Sequence, residues 1–155
     1  MDYELLFSIS NTIAIIGWLS LVLHYVFPLQ GFLSLMFNQY WIPLLLSAGY
    51  AIILMLTGFG VLPSAEGSFD SLANVRSLFE ADTLLLMGWA HYLAFDLFVG
   101  MVIAQQAKSS NIPIWYMLPI WFFTFMFGPT GYLIWRVARP LIAKKETGEQ
   151  CESAQ

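Results

Sequence analysis

Two titratable side chains inside an apolar stretch set the chemistry this sequence can offer. His91 and Asp96 lie in the run Gly88-Trp89-Ala90-His91-Tyr92-Leu93-Ala94-Phe95-Asp96-Leu97-Phe98-Val99-Gly100. Burial disfavours the charged form of a carboxyl, so Asp96 can hold a proton and donate it. A neutral imidazole can accept one. The pair therefore supplies a general acid and a general base, and the two roles are interchangeable. Tyr92 is one helical turn before Asp96, on the same face and within hydrogen-bonding reach. His91 lies about 140° around a helix from Asp96, so the two can flank one ligand but do not bond each other. The packing alternatives are a carboxyl bonded to Tyr92 or to another helix, and an imidazole that bridges two helices. Gly88 and Gly100 flank the stripe and permit close helix contact.

The elements that hold these groups are lipid-soluble ones. Of the 155 residues, 59% are apolar and 10% charged, where a soluble domain has roughly a quarter charged. Mean hydropathy is +0.70. The net charge of −4 is dispersed, and with no basic stripe a nucleic-acid partner is excluded. Cys151 is the single cysteine, so no intrachain disulfide forms. The acidic start Met1-Asp2-Tyr3-Glu4 lacks the basic region of a secretory signal, so the first apolar segment is read as a retained span.

The expected fold is an all-α membrane protein with about four transmembrane helices and a short amphipathic interfacial helix. Residues 1–143 form a single membrane domain and 144–155 a polar disordered tail. The spans run from Leu5 to Phe27, Ile42 to Val61, Thr83 to Ala104 and Ile112 to Val137. Tyr25, Tyr40, Trp41, Trp115, Tyr116 and Trp135 near their ends fit an interfacial belt. The uncharged connection from Pro28 to Trp41, with Phe32, Leu33, Leu35, Met36 and Phe37, is expected to lie along the interface. Between Ser64 and Asp82, Phe69, Leu72, Val75 and Phe79 recur at helical spacing behind Ser68, a capping residue, and predict the amphipathic helix.

Four crossings would put the amino end, the middle loop and the tail on one side, with Arg76, Arg136, Arg139, Lys144 and Lys145. Only Lys108 would lie opposite. The positive-inside rule then makes both termini cytoplasmic, in a cell (inner) membrane. The lipid bilayer is the expected partner, and a homo-oligomer is compatible with the sequence.

Depth from the helical rise puts Asn11 about 9 Å, and His91 and Thr124 about 12 Å, from the cytoplasmic side. Trp18 and Asp96 both lie about 20 Å in. His24 lies about 28 Å in, too far from His91 for both to ligate one haem. Span four carries Pro113, Pro119 and Pro129, and Phe127-Gly128-Pro129-Thr130-Gly131 is expected to kink or open the helix. A kink that serves packing alone is the alternative.

The motifs Phe7-Ser8, Asn11, Ala14, Gly17-Trp18-Leu19, Ser71-Leu72, Val75-Arg76 and Leu78-Phe79, the run from Gly88 to Gly100, and Phe127 to Gly131 together resemble one known family. It is that of the plant abscisic-acid-deficiency membrane protein required for neoxanthin synthesis, with its short bacterial relatives. The resemblance covers nearly the whole chain. It implies a four-helix membrane protein linked in plants to conversion of violaxanthin to neoxanthin, with no cofactor. Met101 stands where the family pattern has arginine, and Gln105-Gln106 replace a more acidic stretch. The plastid transit segment of plant members is missing, so a bacterial origin is expected.

The resemblance implies an isomerase with His91 and Asp96 as catalytic residues. Asn11, Trp18, Trp89, Tyr92 and Thr124 would line the substrate, a carotenoid or other isoprenoid. Arg76, Gly88, Gly100, Gly128 and Pro129 would be structural. Two other classes fit the residues: a non-enzymatic membrane subunit or pigment- and lipid-binding scaffold, and a proton-coupled transporter built on Asp96 in an oligomer.

Overall fold

A computed structural model describes residues 2–27 and 41–153, with side chains through 142. Among the described residues it is helical throughout, with α1 Tyr3–Val26, α2 Trp41–Gly58, α3 Leu72–Leu78, α4 Asp82–Ser109, α5 Ile114–Phe127 and α6 Pro129–Ser153. Of these, α1, α2 and α4 are long and apolar enough to cross a membrane. The expected interfacial stretch from Pro28 to Tyr40 lies outside the described residues. α6 continues into the polar segment that composition reads as a disordered tail.

The chain forms two compact units. The first comprises Met1–Gly17 and Trp41–Ala94, the second Trp18–Tyr40 and Phe95–Gln155. The core of the first unit is a small cluster of Ala14, Leu46, Leu93 and Ala94, with Ile13, Ile42 and Tyr92 against it. At the start of α4, the Tyr3 and Thr83 hydroxyls are 2.8 Å apart, and Thr83 is buried. Helix α3 is capped by Ser71, whose side chain accepts from the Asn74 amide at 3.2 Å. Ser68 was the expected cap; it instead donates to Asp70 and accepts from the Asn74 side-chain amide at 3.2 Å, one turn before the helix. These hydrogen bonds to Asp70 hold its carboxyl below the usual range. Leu72, in the first turn of α3, is strongly exposed at 78%, and Phe69, expected to share its face, lies ahead of the helix at 87%.

The second unit is packed more deeply. Leu97, Ile103, Ala107, Met117, Thr124 and Trp135 are each sealed from the exterior. Small residues on α4 (Gly100, Ala104 and Ala107) admit neighbouring helices, the packing that membrane helices use where lipid gives no hydrophobic drive. α4 ends as Asn111 takes a left-handed conformation (φ 52°) and the Ile112 amide returns to the Ala107 carbonyl at 3.0 Å. α5 then runs through Pro119 without breaking.

The largest departure from expectation is in span four. The break at Gly128 is present, but residues 112–137 are not one kinked crossing. Gly128 (φ 34°, ψ −86°) ends α5, its amide bonding the Thr124 carbonyl at 2.9 Å. The same residue opens α6, accepting from the Tyr132 amide at 3.3 Å. Pro129 takes the first helical position, where its missing N–H costs nothing. The chain then turns back. A Cβ on Gly131 would collide with Thr124, on the preceding helix. Trp135 Nε1 donates to Gln106 Oε1 at 2.9 Å, and Arg139 reaches Gln106 Oε1 and Ser110 Oγ, both at 3.4 Å. α6 therefore rises beside the carboxyl-terminal end of α4, the end from which α5 descends. Where one fourth crossing was expected, the chain has the two helices α5 and α6.

Candidate functional site

The first unit presents an aromatic ledge. Trp89 donates its indole N–H to Asn11 Oδ1 at 2.9 Å, which fixes the ring against α1. Tyr92 stacks on Trp89 with centroids 5.4 Å apart, and Phe7 lies 5.6 Å away on a tilted plane. Asn11, Trp89 and Tyr92, three of the residues read from sequence as substrate-lining, thus meet in one cluster. His91 is exposed and sits beside Tyr50, centroids 5.6 Å apart. Gly88 admits Phe79: a Cβ there would fall 2.6 Å from its ring. That contact ties α3 to α4. Arg76 is exposed in the last turn of α3.

Next to the ledge is a groove of about 640 Å³ lined by Asp2, Tyr3, Glu4, Phe7, Asp82, Leu85, Leu86 and Trp89. Its lining combines apolar and aromatic side chains with three carboxylates. Of the residues singled out by sequence, Trp89 alone lines it. In sequence, the acidic start of the chain is read only as evidence against a secretory signal; Asp2 and Glu4 close to Phe7 are the sequence signal for the groove.

The second unit holds the remaining candidates. Asp96 is 7% exposed and lies in the notch left by Gly128, where a Cβ would strike its Oδ1. Trp18 packs over Gly100, where a Cβ would be 2.5 Å from the indole, and meets Phe125 edge-on at 5.7 Å. Thr124 is fully enclosed, and its hydroxyl donates to the Ile120 carbonyl at 2.8 Å. Trp121 Nε1 donates to the Gly100 carbonyl at 3.3 Å, and the Tyr25 hydroxyl to that of Ile112. Lys108 donates to the His24 carbonyl at 2.8 Å, satisfying the last turn of α1. Sequence reasoning missed the Gln106–Trp135–Arg139 network because it placed Gln106 and Arg139 on opposite sides of the membrane.

The chemistry divides accordingly. The first unit offers an open apolar groove, hydrogen-bond acceptors at its rim and an accessible imidazole. The second offers an enclosed carboxyl at a helix break. No curated protein and no solved structure matches the chain. A sequence profile described as ABA DEFICIENT 4-like matches residues 5–135, most of the chain, and the protein belongs to that family.

Proposed function

We propose that this is an integral protein of the cell (inner) membrane that binds and acts on an oxygenated apolar isoprenoid, as a xanthophyll isomerase of the neoxanthin-synthesis type. The observation behind this reading is the groove of the first unit. Its volume of about 640 Å³ is that of a small-ligand site. Phe7, Leu85, Leu86 and Trp89 suit the methylated ring of an isoprenoid. Asp2, Glu4 and Asp82 can accept hydrogen bonds from ring hydroxyls. Membership of the family supports the substrate class.

The reaction is an isomerisation. An epoxide C–O bond opens, its oxygen gains a proton and becomes a tertiary alcohol. A neighbouring polyene carbon loses a proton, leaving an allene. Atoms and electrons balance without an oxidant or reductant. His91, in the same unit as the groove, is assigned as proton acceptor; Asp96 stands in the other unit, and its assignment as donor rests on the chemistry of a buried carboxyl alone.

The test is expression in a bacterium that makes epoxidised carotenoids, with pigments compared by chromatography and mass. A new isomer of unchanged mass, absent in His91→Ala and in Asp96→Asn, is the expected result. An unchanged pigment profile with no pigment bound to the purified protein overturns the reading. Pigment that co-purifies unaltered makes the protein a binding scaffold, the reading favoured by the enclosure of Asp96 at 7% exposure.

A further inference from the structure

We propose that α5 and α6 form a re-entrant hairpin, so the chain crosses the membrane three times and its carboxyl-terminal basic end meets the anionic headgroups of the cytoplasmic leaflet. The amino end then lies on the opposite side, in place of two cytoplasmic termini.

Length is the first observation. α5 has 14 residues, which at helical rise gives roughly 21 Å, against about 30 Å of hydrocarbon. Direction is the second. Gly131 closes on Thr124, Trp135 bonds Gln106, and Arg139 reaches Gln106 and Ser110. α6 thus leaves at the end of α4 from which α5 entered. α4 is one unbroken helix of 28 residues, roughly 40 Å long. Thr83 in its first turn bonds Tyr3 near the amino end of the chain. Ser110, just past its last turn, bonds Arg139. A helix of this length that crosses the bilayer puts its own two ends, Asp82 and Ser109, on opposite faces. Broken helices that stop at depth occur where the freed backbone is enclosed by protein, and Gly128 is buried.

Charge fixes the sidedness. Arg76 is the one basic residue associated with the amino-terminal face, among Asp2, Glu4, Glu66, Asp70, Glu80 and Asp82. Lys108, Arg136 and Arg139 mark the other end, and Lys144 and Lys145 follow in sequence. The positive-inside rule assigns that end to the cytoplasm. Arg139 is held by Gln106, Ser110 and the Trp135 ring, 5.7 Å from its guanidinium. Arg136 is exposed and available to lipid phosphate.

Three measurements on the full chain test this. Cys151, the native cysteine, should resist an impermeant maleimide in sealed spheroplasts and react in inverted vesicles, while Glu4→Cys in Cys151→Ser should show the reverse. Ser110→Cys with Arg139→Cys, again in Cys151→Ser, should join through a short bifunctional maleimide. In nanodiscs, phosphatidylglycerol should raise the melting temperature above that in phosphatidylcholine, and Arg136→Gln should shrink the difference. Both termini on one side, or no 110–139 cross-link, overturns the hairpin. A tail labelled from outside, or no lipid dependence, overturns the leaflet assignment. None of these readouts depends on the isoprenoid reading, so the two fail separately.

Discussion

The two units solve the same problem, burying helices in lipid, in opposite ways. In the first, the core is a handful of small and branched residues around Ala14 and Leu93, and large aromatics stay at the surface: Trp89 at 36%, Phe7 at 40%, Phe79 at 44%. In the second, Trp115, Phe122 and Phe127 are also exposed, but Trp121 and Trp135 are sealed in, and glycines bring the backbones together at Gly100, Gly128 and Gly131. Without a hydrophobic drive between helices in lipid, tight packing must come from complementary shape. The second unit has that complementarity. The first has surface that suits a ligand. The contrast predicts where substitutions should be felt.

The largest effect should come from Gly128→Val. The residue is held at φ 34°, and a side chain would strike Asp96. Strain and overpacking each cost about 1–3 kcal/mol, so a large fall in melting temperature in detergent is expected. Adding Asp96→Ala should recover only the steric part. Gly100→Val comes next, at about 1–3 kcal/mol, since its Cβ would meet Trp18 at 2.5 Å. Trp18→Leu in the same chain should show a favourable coupling between the two sites.

Smaller effects belong to the first unit. Trp89→Phe removes the 2.9 Å bond to Asn11, worth about 1 kcal/mol, and should lower pigment binding more than melting temperature. A melting-temperature loss equal to that of Gly128→Val would erase the contrast. Ser71→Ala removes the α3 cap, about 1 kcal/mol, and should speed amide exchange in α3 alone. The neighbouring Asp70 has its carboxyl lowered by Ser68 and Asn74. Its support for this turn is therefore complete above the ordinary carboxylate pKa and is lost as pH falls through the lower folded value. Exchange in α3 should accelerate in that acid range and be unchanged from pH 6 to 8.

Much of this was legible beforehand. Apolar runs located α1, α2 and α4 closely, because hydropathy over one helix length is a local property. The break at Phe127–Gly131 was legible too, since Gly-Pro cannot continue a helix. Its direction was not. Tyr132, Leu133, Ile134 and Trp135 extend the apolar run whether the chain goes on or doubles back, and only Gly131 against Thr124 and Trp135 against Gln106 decide it. That one ambiguity decides the side to which Arg136, Arg139, Lys144 and Lys145 are assigned. The cap of α3 was misplaced by one serine, as both Ser68 and Ser71 satisfy the local pattern. Trp89, Asn11 and Tyr92, read from the sequence as substrate-lining, meet in one cluster. Thr124 lies in the second unit, enclosed one turn before the break at Gly128.

Gly128 answers to two separate demands, a backbone angle and a carboxylate at close range. In a saturation library, randomising Asp96 alone would not release the glycine, and randomising Gly128 alone would return few survivors. Variation at Asp96 is therefore confined to side chains no larger than the gap, so the two positions should drift at unequal rates, glycine last.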